Sequence, residues 1–180
     1  MNGGPLDLRQ VAAPGDVTPE LRRALVECWI EVTNAGGAAG FPFPPIDVRQ
    51  AAPAVDSLVA SLAPDTSRLV IASVNGHLAG WLNVRCDPFE LVAHWGTLHH
   101  VQTRTGLRGR GIGAALVHHV RGIARDEMGL EQLRLAARGG DGLEDFYGRL
   151  GWRETGRWPG ALRLAPGDDR DEVLMILAPL

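Results

Sequence analysis

Apolar and polar residues alternate along several short stretches of the chain, and an alternation of period two predicts β-strands. Asn75 and Gly76 separate two of these stretches, and Asn-Gly strongly favours a two-residue hairpin turn. The end of the chain is expected to form a hairpin around an acidic loop at residues 166–171. The predicted strands cover residues 6–11, 68–74, 77–86, 98–104, 131–137, 153–158 and 172–177.

Apolar residues spaced three and four positions apart predict four helices between these strands. Thr18 and Pro19 suit the N-cap and the first turn of the first helix. Asp47 suits the N-cap of the second helix, which Pro53 is expected to kink or to divide into two shorter helices. The predicted helices run from Pro19 through Val32, from Asp47 to about Leu62, from Ile112 to Gly129, and from Asp141 or Gly142 through Leu150.

The order of these elements predicts the α/β (α+β) class, with helices on both faces of a mixed sheet. Residues 98–137 form a strand–helix–strand unit, so its two strands are expected to be parallel and joined by a right-handed crossover. With 180 residues and no internal repeat or long linker, the chain is expected to be a single domain, residues 1–180.

The composition excludes several classes of function. Apolar residues make up 45% of the chain and charged residues 22%, which are ordinary values for a globular protein. The net charge of −3 gives no overall attraction to nucleic acid or to an anionic membrane, and no apolar run is long enough to span one. Cys28 and Cys86 are expected to stay reduced in a cytoplasmic protein. No group of His, Cys and acidic residues has metal-ligand spacing, so no metal is expected.

One glycine-rich segment carries most of the chemical information. Residues 108–113, Arg-Gly-Arg-Gly-Ile-Gly, lie between a predicted strand and a predicted helix. Gly109, Gly111 and Gly113 leave the backbone open to a ligand, and the free N–H groups at the start of a helix attract anions. Arg108 and Arg110 add positive charge. The segment therefore predicts a site for a phosphate or a diphosphate.

Three kinds of phosphate ligand compete for this segment. A nucleoside-triphosphate loop requires Gly-Lys followed by Ser or Thr, and this sequence does not follow the glycines. A dinucleotide fingerprint requires the spacing G-x-G-x-x-G early in a βαβ unit, whereas the spacing here is G-x-G-x-G, late in the chain. The third ligand is an acyl-coenzyme A.

The segment resembles motif A of the GNAT acetyltransferase superfamily, Arg/Gln-x-x-Gly-x-Gly/Ala, through Arg108, Gly111 and Gly113. Residues 146–152, Phe-Tyr-Gly-Arg-Leu-Gly-Trp, resemble a second segment of the same family, on the next helix. The order of the elements is similar over nearly the whole chain. The resemblance implies the GNAT fold, with a mostly antiparallel central sheet of about seven strands. It also implies an enzyme that transfers an acetyl group from acetyl-CoA to an amine.

The resemblance further implies which residues bind acetyl-CoA. The family holds the diphosphate on the glycine turn, and the pantetheine arm on the backbone of the preceding strand. The family usually has Val at the position of Thr103 and often has Asn at the position of Gly140, where Arg138 is a candidate replacement. The implied coenzyme-binding residues are Val101, Gln102, Thr103, Arg108, Gly109, Arg110, Gly111, Ile112, Gly113, Ala114 and Tyr147.

Two side chains are candidates for proton transfer. Tyr147, the only tyrosine of the chain, occupies the family's general-acid position and can protonate the leaving thiolate. His99 has an imidazole, whose ordinary pKa of about 6.5 suits removal of a proton from the amine. Strand alternation would place His99 on the same face as Val101 and opposite to His100. The alternatives to His99 are Glu90, Asp87 and an ordered water.

A stretch rich in Gly and Pro, residues 34–45, is expected to cover the acceptor site. Residues 37–41 and the pair Pro159-Gly160 also resemble the tabtoxin-resistance acetyltransferases, which acetylate small amino-acid-like amines. We expect a small-molecule amine in a pocket lined by Phe41, Phe43 and Trp95, and neither nucleic acid nor a membrane as a partner. A homodimer, a protein or peptide N-acetyltransferase, and a non-catalytic acyl-CoA-binding module stay open as alternatives.

Overall fold

Seven strands form one sheet in the computed structural model of the protein, which describes residues 4–37 and 40–180. Along the sheet the strands follow the order β1-β2-β3-β4-β5-β7-β6. Neighbouring strands are antiparallel except β4 and β5, which are parallel as predicted. The strands are β1 (Leu6–Val11), β2 (Ser67–Val74), β3 (His77–Cys86), β4 (Trp95–Thr103), β5 (Gln132–Arg138), β6 (Arg153–Ala165) and β7 (Asp168–Leu177).

Helices cover both faces of this sheet, as the sequence predicts. Trp81 and Leu82 are neighbours on β3, yet they belong to two different hydrophobic clusters, because successive side chains of a strand point to opposite faces. Trp81 packs with α1 and α2, and Leu82 packs with α3 and α4. Within the described residues, no helix combines the length and the apolar composition needed to cross a membrane. The helices are α1 (Pro19–Asn34), α2 (Val48–Ala60), α3 (Ile112–Asp126) and α4 (Leu143–Arg149).

The predicted caps and hairpin turn are confirmed in detail. The Thr18 hydroxyl accepts a hydrogen bond from the Leu21 N–H at 3.2 Å and so caps α1. Asp47 begins α2 with a capping box. Asn75 and Gly76 both have positive φ, 52° and 76°, which is the geometry of a type I′ hairpin turn.

Pro53 lies inside α2, and α2 is one helix rather than two. Pro53 lacks one backbone N–H, and the capping box at Asp47 holds the first turn independently of that missing hydrogen bond. Ala51, Val55 and Leu58 are buried against the sheet, so packing stabilises the helix on both sides of the proline.

The closing hairpin is longer than predicted. β6 and β7 extend into the predicted acidic loop, of which only Pro166 and Gly167 connect the strands. Polar side chains pair across the extension, for example Arg163 Nε with Asp169 Oδ1 at 2.7 Å. Both faces of this part of the hairpin are largely exposed, so its strands lack the apolar alternation from which a strand is predicted.

One partly buried contact fixes the end of β4 to α1. The Glu31 carboxylate accepts hydrogen bonds from Arg104 Nη1 at 2.7 Å, from the Thr105 N–H at 2.7 Å and from Thr105 Oγ1 at 2.6 Å. Burial alone would raise the pKa of Glu31, but the hydrogen bonds from Thr105 and Arg104 outweigh it and lower this pKa. Arg104 and Thr105, which precede the glycine turn, are therefore held against α1.

Candidate active site

The parallel pair of strands opens into a cavity. β4 and β5 pair from Trp95–Gln132 to Thr97–Arg134, where the ladder ends. Beyond this point a cavity of about 650 Å³ is lined by residues 100–103 of β4 and 135–138 of β5. Strands that have diverged leave facing N–H and C=O groups without ladder partners, and such groups need another partner. The cavity therefore offers main-chain hydrogen bonds to an extended ligand.

The glycine turn closes one end of this cavity at the N-terminus of α3. Gly109 and Gly111 have φ values of 75° and 78°, which favour glycine. A side chain at Gly113 would be tightly placed, because a Cβ there would lie 3.3 Å from Phe146 Cζ. The first hydrogen bond of α3 runs from the Ala115 N–H to the Gly111 carbonyl, which leaves the N–H groups of the first turn free for an anion.

The two arginines of the turn lie on opposite sides of it. Arg108 lines the cavity, and its Nη2 would lie 3.2 Å from a Cβ at Gly37. Arg110 instead lines a separate cavity of about 850 Å³ between α1 and the β2–β3 turn. Arg110 therefore does not line the cavity between β4 and β5, and its contact with the coenzyme stays a prediction. Left-handed residues on either side of Arg110 reverse the chain direction, and this turns its side chain away.

The remaining predicted coenzyme-binding residues do meet at the cavity, and Tyr147 on α4 is one of them. Arg138, the candidate replacement for the residue at Gly140, also lines it. The Arg138 guanidinium donates to the Asp141 carboxylate and, at 2.5 Å, to the Gly36 carbonyl. The predicted residues that line the cavity are Val101, Gln102, Thr103, Arg108, Gly109, Gly111, Ile112, Gly113, Ala114 and Tyr147.

A β-bulge in β4 overturns the predicted facing of its two histidines. His99 pairs with Asn83 and Gln102 pairs with Trp81, so two β4 residues, His100 and Val101, oppose one residue of β3. His100 has a φ of 56°, in the left-handed region. The extra residue ends the alternation, so His99 and Val101 do not share a face.

The bulge leaves both histidine rings on the α1 side of the sheet. The His100 ring lies 4.6 Å from the Trp29 ring and 5.9 Å from the His99 ring, centroid to centroid. Val101 packs against the cluster on the α3 side. His100 lines the cavity between β4 and β5, and His99 lines neither this cavity nor the one that Arg110 lines. Sequence analysis missed His100 because a bulge at a residue other than glycine leaves no signal in the alternation.

Burial changes the protonation of the groups around the cavity. Desolvation and the positive charges of His99 and Arg85 lower the pKa of His100 to about 4. Desolvation and Arg85 also lower the pKa of His99. Burial raises the pKa of Tyr147, whose ring packs between those of Phe146 and Trp152. At neutral pH the cavity therefore holds a neutral imidazole and a protonated phenol.

A smaller cavity of about 480 Å³, which we call the second cavity, adjoins the cavity between β4 and β5. The two share Gly36, Gly37, Arg138 and Asp141. Phe41 and Phe43 line this second cavity together with the β6–β7 turn. Ala38 and Ala39 of the predicted covering loop lie outside the described residues.

The structure does not bring Trp95 together with the two phenylalanines. Trp95 is the first residue of β4, at the end of that strand farthest from the glycine turn. The Arg134 guanidinium stacks on its ring at 3.9 Å. In the sequence prediction Trp95 lies between the strands at 77–86 and 98–104 and lines the acceptor pocket. Its place in a strand fixes it elsewhere, and it lines none of the three cavities described here.

A sequence profile of the acetyltransferase (GNAT) family matches residues 20–152, which is more than half of the chain. The protein belongs to the GNAT acetyltransferase family. The matched region includes the bulge, the glycine turn and Tyr147, so the predicted family is confirmed on the residues that form the cavity. Among curated proteins, no sequence matches the chain.

Solved structures of GNAT proteins share the fold over nearly the full length. A GCN5-related N-acetyltransferase from Kribbella flavida is 21% identical, with 97% of this chain and 98% of that chain covered and a TM-score of 0.75. An aminoglycoside 6′-N-acetyltransferase complexed with coenzyme A is 16% identical, with 96% of each chain covered and a TM-score of 0.71. A ribosomal-protein-alanine N-acetyltransferase from Brucella melitensis is 19% identical, with 96% and 99% covered and a TM-score of 0.72.

Proposed function

We propose that this GNAT protein transfers an acetyl group from acetyl-CoA to the primary amine of a small molecule, an amino-acid-like metabolite or antibiotic. The observation that carries the proposal is the cavity between β4 and β5, which ends at the bare N-terminus of α3. A long ligand with a diphosphate at one end and a slender polar arm fits such a site. Coenzyme A is that kind of ligand, and the coenzyme A complex of the aminoglycoside 6′-N-acetyltransferase supports the assignment.

The chain supplies three groups for holding the coenzyme. The free N–H groups at the start of α3 receive the diphosphate, with the Arg108 guanidinium beside them. The main chain of Val101 and Thr103 meets the pantetheine arm where β4 has left β5. These contacts use backbone groups, so Thr103 in place of the family's usual Val does not weaken them.

Direct attack by the amine requires a proton for the leaving sulfur. Tyr147 lines the cavity and is protonated, since burial raises the pKa of its phenol. A phenol that keeps its proton at neutral pH can donate it as negative charge develops on sulfur. Neither cysteine lines the cavity: Cys28 is buried and Cys86 is at the end of β3. Neither cysteine is therefore placed to carry the acetyl group.

The second cavity supports a small acceptor rather than a peptide. It holds about 480 Å³ beside the coenzyme cavity, which is within the range of small-molecule pockets. Its charged lining carries both signs: Arg138 and Arg170 against Asp141 and Asp168. Arg170 Nε contacts Asp168 at 2.5 Å, and Arg170 Nη1 lies 3.7 Å from Asp141. A pocket with balanced charges suits a molecule with an amine and an acid group better than a polycation.

Release of free thiol from acetyl-CoA tests this function. The purified protein is mixed with acetyl-CoA and, separately, with amino acids, with the matching amines that lack the carboxylate, and with peptides. The proposal expects amine-dependent thiol release that is highest with the amino acids. Turnover of peptides alone would establish the peptide enzyme. Coenzyme A binding without turnover of any amine would establish the non-catalytic module.

A further inference from the structure

We infer that His100, and not the neighbouring His99, is the general base that accepts the proton of the attacking amine. This inference rests on the proposed acetyl transfer and adds a catalytic residue to it. The bulge at His100 and Val101 is the feature of the fold that separates the roles of the two adjacent histidines.

The position of His100 connects the acceptor side with the coenzyme side. Its side chain lies on the α1 side of the sheet, near Gly40 of the segment that also carries Phe41 and Phe43. It also lines the coenzyme cavity, immediately before the strand residues that would hold the pantetheine arm. The second cavity adjoins the coenzyme cavity at Gly36 and Gly37, and Phe41 of the same segment lines it. His99, which lines neither cavity, does not share this position.

The surroundings of His100 hold the ring in place and leave its nitrogens free. The ring packs at 4.6 Å from the Trp29 ring and at 5.8 Å from the Trp81 ring. Gly40 lies beside the ring, since a Cβ there would be 3.4 Å from His100 Cε1, an ordinary van der Waals distance. Within the described residues, neither ring nitrogen of His100 has a hydrogen-bond partner. A ring fixed by packing alone presents both nitrogens to a ligand.

The backbone at His100 is also unusual. A φ of 56° is uncommon for a residue with a side chain and costs free energy that the surrounding structure must supply. Such conformations cluster at functional sites. Here the strained backbone turns the His100 ring to the same face as His99 and leaves Val101 on the α3 side.

The proton balance of the step is complete. The neutral amine attacks the thioester carbonyl carbon, the C–N bond forms, and the nitrogen becomes positively charged and acidic. One proton passes from this nitrogen to a ring nitrogen of His100, and then to bulk water. The C–S bond breaks, and the sulfur receives its proton from the Tyr147 hydroxyl, which is reprotonated from water. The products are the N-acetyl amine and coenzyme A thiol.

Burial first, and then the titratable groups that face His100, keep its ring neutral between turnovers. These groups are His99 on β4 and Arg85 on β3, and the packing partners on α1 and β3, Trp29 and Trp81, have no charge. Burial with these neighbours lowers the pKa of His100 to about 4. The neutral ring keeps a nitrogen lone pair that can accept the proton of the positively charged amine.

Separate substitutions of the two adjacent histidines provide the test. His100→Gln is expected to lower kcat by about 10²- to 10⁴-fold, the usual contribution of a general base. Its affinity for coenzyme A, measured by calorimetry, should match the wild type and so report an intact cavity. His99→Gln is the matched control and should keep kcat within a few-fold of the wild type. Equal losses in both variants, or a loss in His99→Gln alone, would overturn the assignment.

The pH dependence of the wild type gives a second measurement that needs no variant. With His100 as the base, kcat stays level at neutral pH and falls only as the pH approaches about 4, where the ring becomes protonated. A fall centred near the ordinary histidine pKa of about 6.5 would contradict the assignment. Absence of thiol release by the wild type with every amine would instead refute the proposed function. An active wild type with an equally active His100→Gln refutes the role of His100 alone.

Discussion

At the scale of single residues, protonation decides what each side chain can do. Burial raises the pKa of Tyr147, because the phenolate would lose the water that stabilises its charge. The same burial lowers the pKa of His100, because there the charged form is the protonated one. The two shifts act in opposite directions and leave both groups uncharged at neutral pH. A proton donor and a proton acceptor therefore coexist in one cavity.

Substitution of Tyr147 by Phe removes the donor and keeps the ring. Because Tyr147 packs between Phe146 and Trp152 through its ring, the fold and the affinity for coenzyme A should be unchanged. We expect kcat for thiol release to fall by about 10- to 1,000-fold, with the dissociation constant of coenzyme A within about two-fold of the wild type. Steady-state kinetics and calorimetry on the same preparation check both values. Unchanged turnover would remove Tyr147 from the mechanism.

At the scale of elements, two glycines of α3 differ in their backbone conformation. Gly111 is the N-cap and has a φ of 78°, and a Cβ there would meet no other atom within 4 Å. Gly122 lies in the interior of the same helix, and a Cβ there is also unhindered. Space is therefore equal at the two positions, and only the backbone conformation differs.

Alanine substitutions at these two glycines should have opposite effects. Gly111→Ala is expected to lower the free energy of unfolding by about 1 to 2 kcal/mol, the cost of a left-handed residue with a side chain. Gly122→Ala is expected to raise it by about 0.5 to 1 kcal/mol, because alanine loses less conformational entropy in a helix. Urea unfolding without coenzyme measures both. Two changes of the same sign would show that backbone conformation does not govern the turn.

The elements also show where sequence patterns stop being informative. The glycine turn and Tyr147 were predictable, because the spacing of glycines and the resemblance of residues 146–152 do not depend on distant contacts. Whether His99 and Val101 lie on the same face of the sheet was not predictable, because one extra residue in β4 inverts the alternation after His99. The direction of Arg110 depends on left-handed residues on both sides of it, which composition alone does not indicate.

At the scale of the whole molecule, the class, the sheet of seven strands and the position of the cavity follow from the order of the elements. Apolar clusters on both faces fix β1 to β4, where the pattern is strong. The β6–β7 hairpin was underestimated because polar pairs such as Arg163 with Asp169 replace apolar contacts in its extension. The second cavity combines the segment after α1, the residues after β5 and the β6–β7 turn, a combination that only the tertiary structure reveals.

The proposed coenzyme site ends at the N-terminus of α3, where Ala114 lines the cavity in the first turn. An aspartate there is favourable for the helix itself, since negative charge near a helix N-terminus is stabilising. The same charge would repel a diphosphate. Ala114→Asp therefore separates loss of binding from loss of folding.

Calorimetric titration of coenzyme A into the wild type and into Ala114→Asp tests the central claim most directly. The account predicts one coenzyme A per chain for the wild type. For the variant it predicts an affinity at least about ten-fold weaker, the equivalent of 1.4 kcal/mol, with an unchanged melting temperature. A wild type that releases no heat with coenzyme A, or a variant that binds it equally well, would contradict the account.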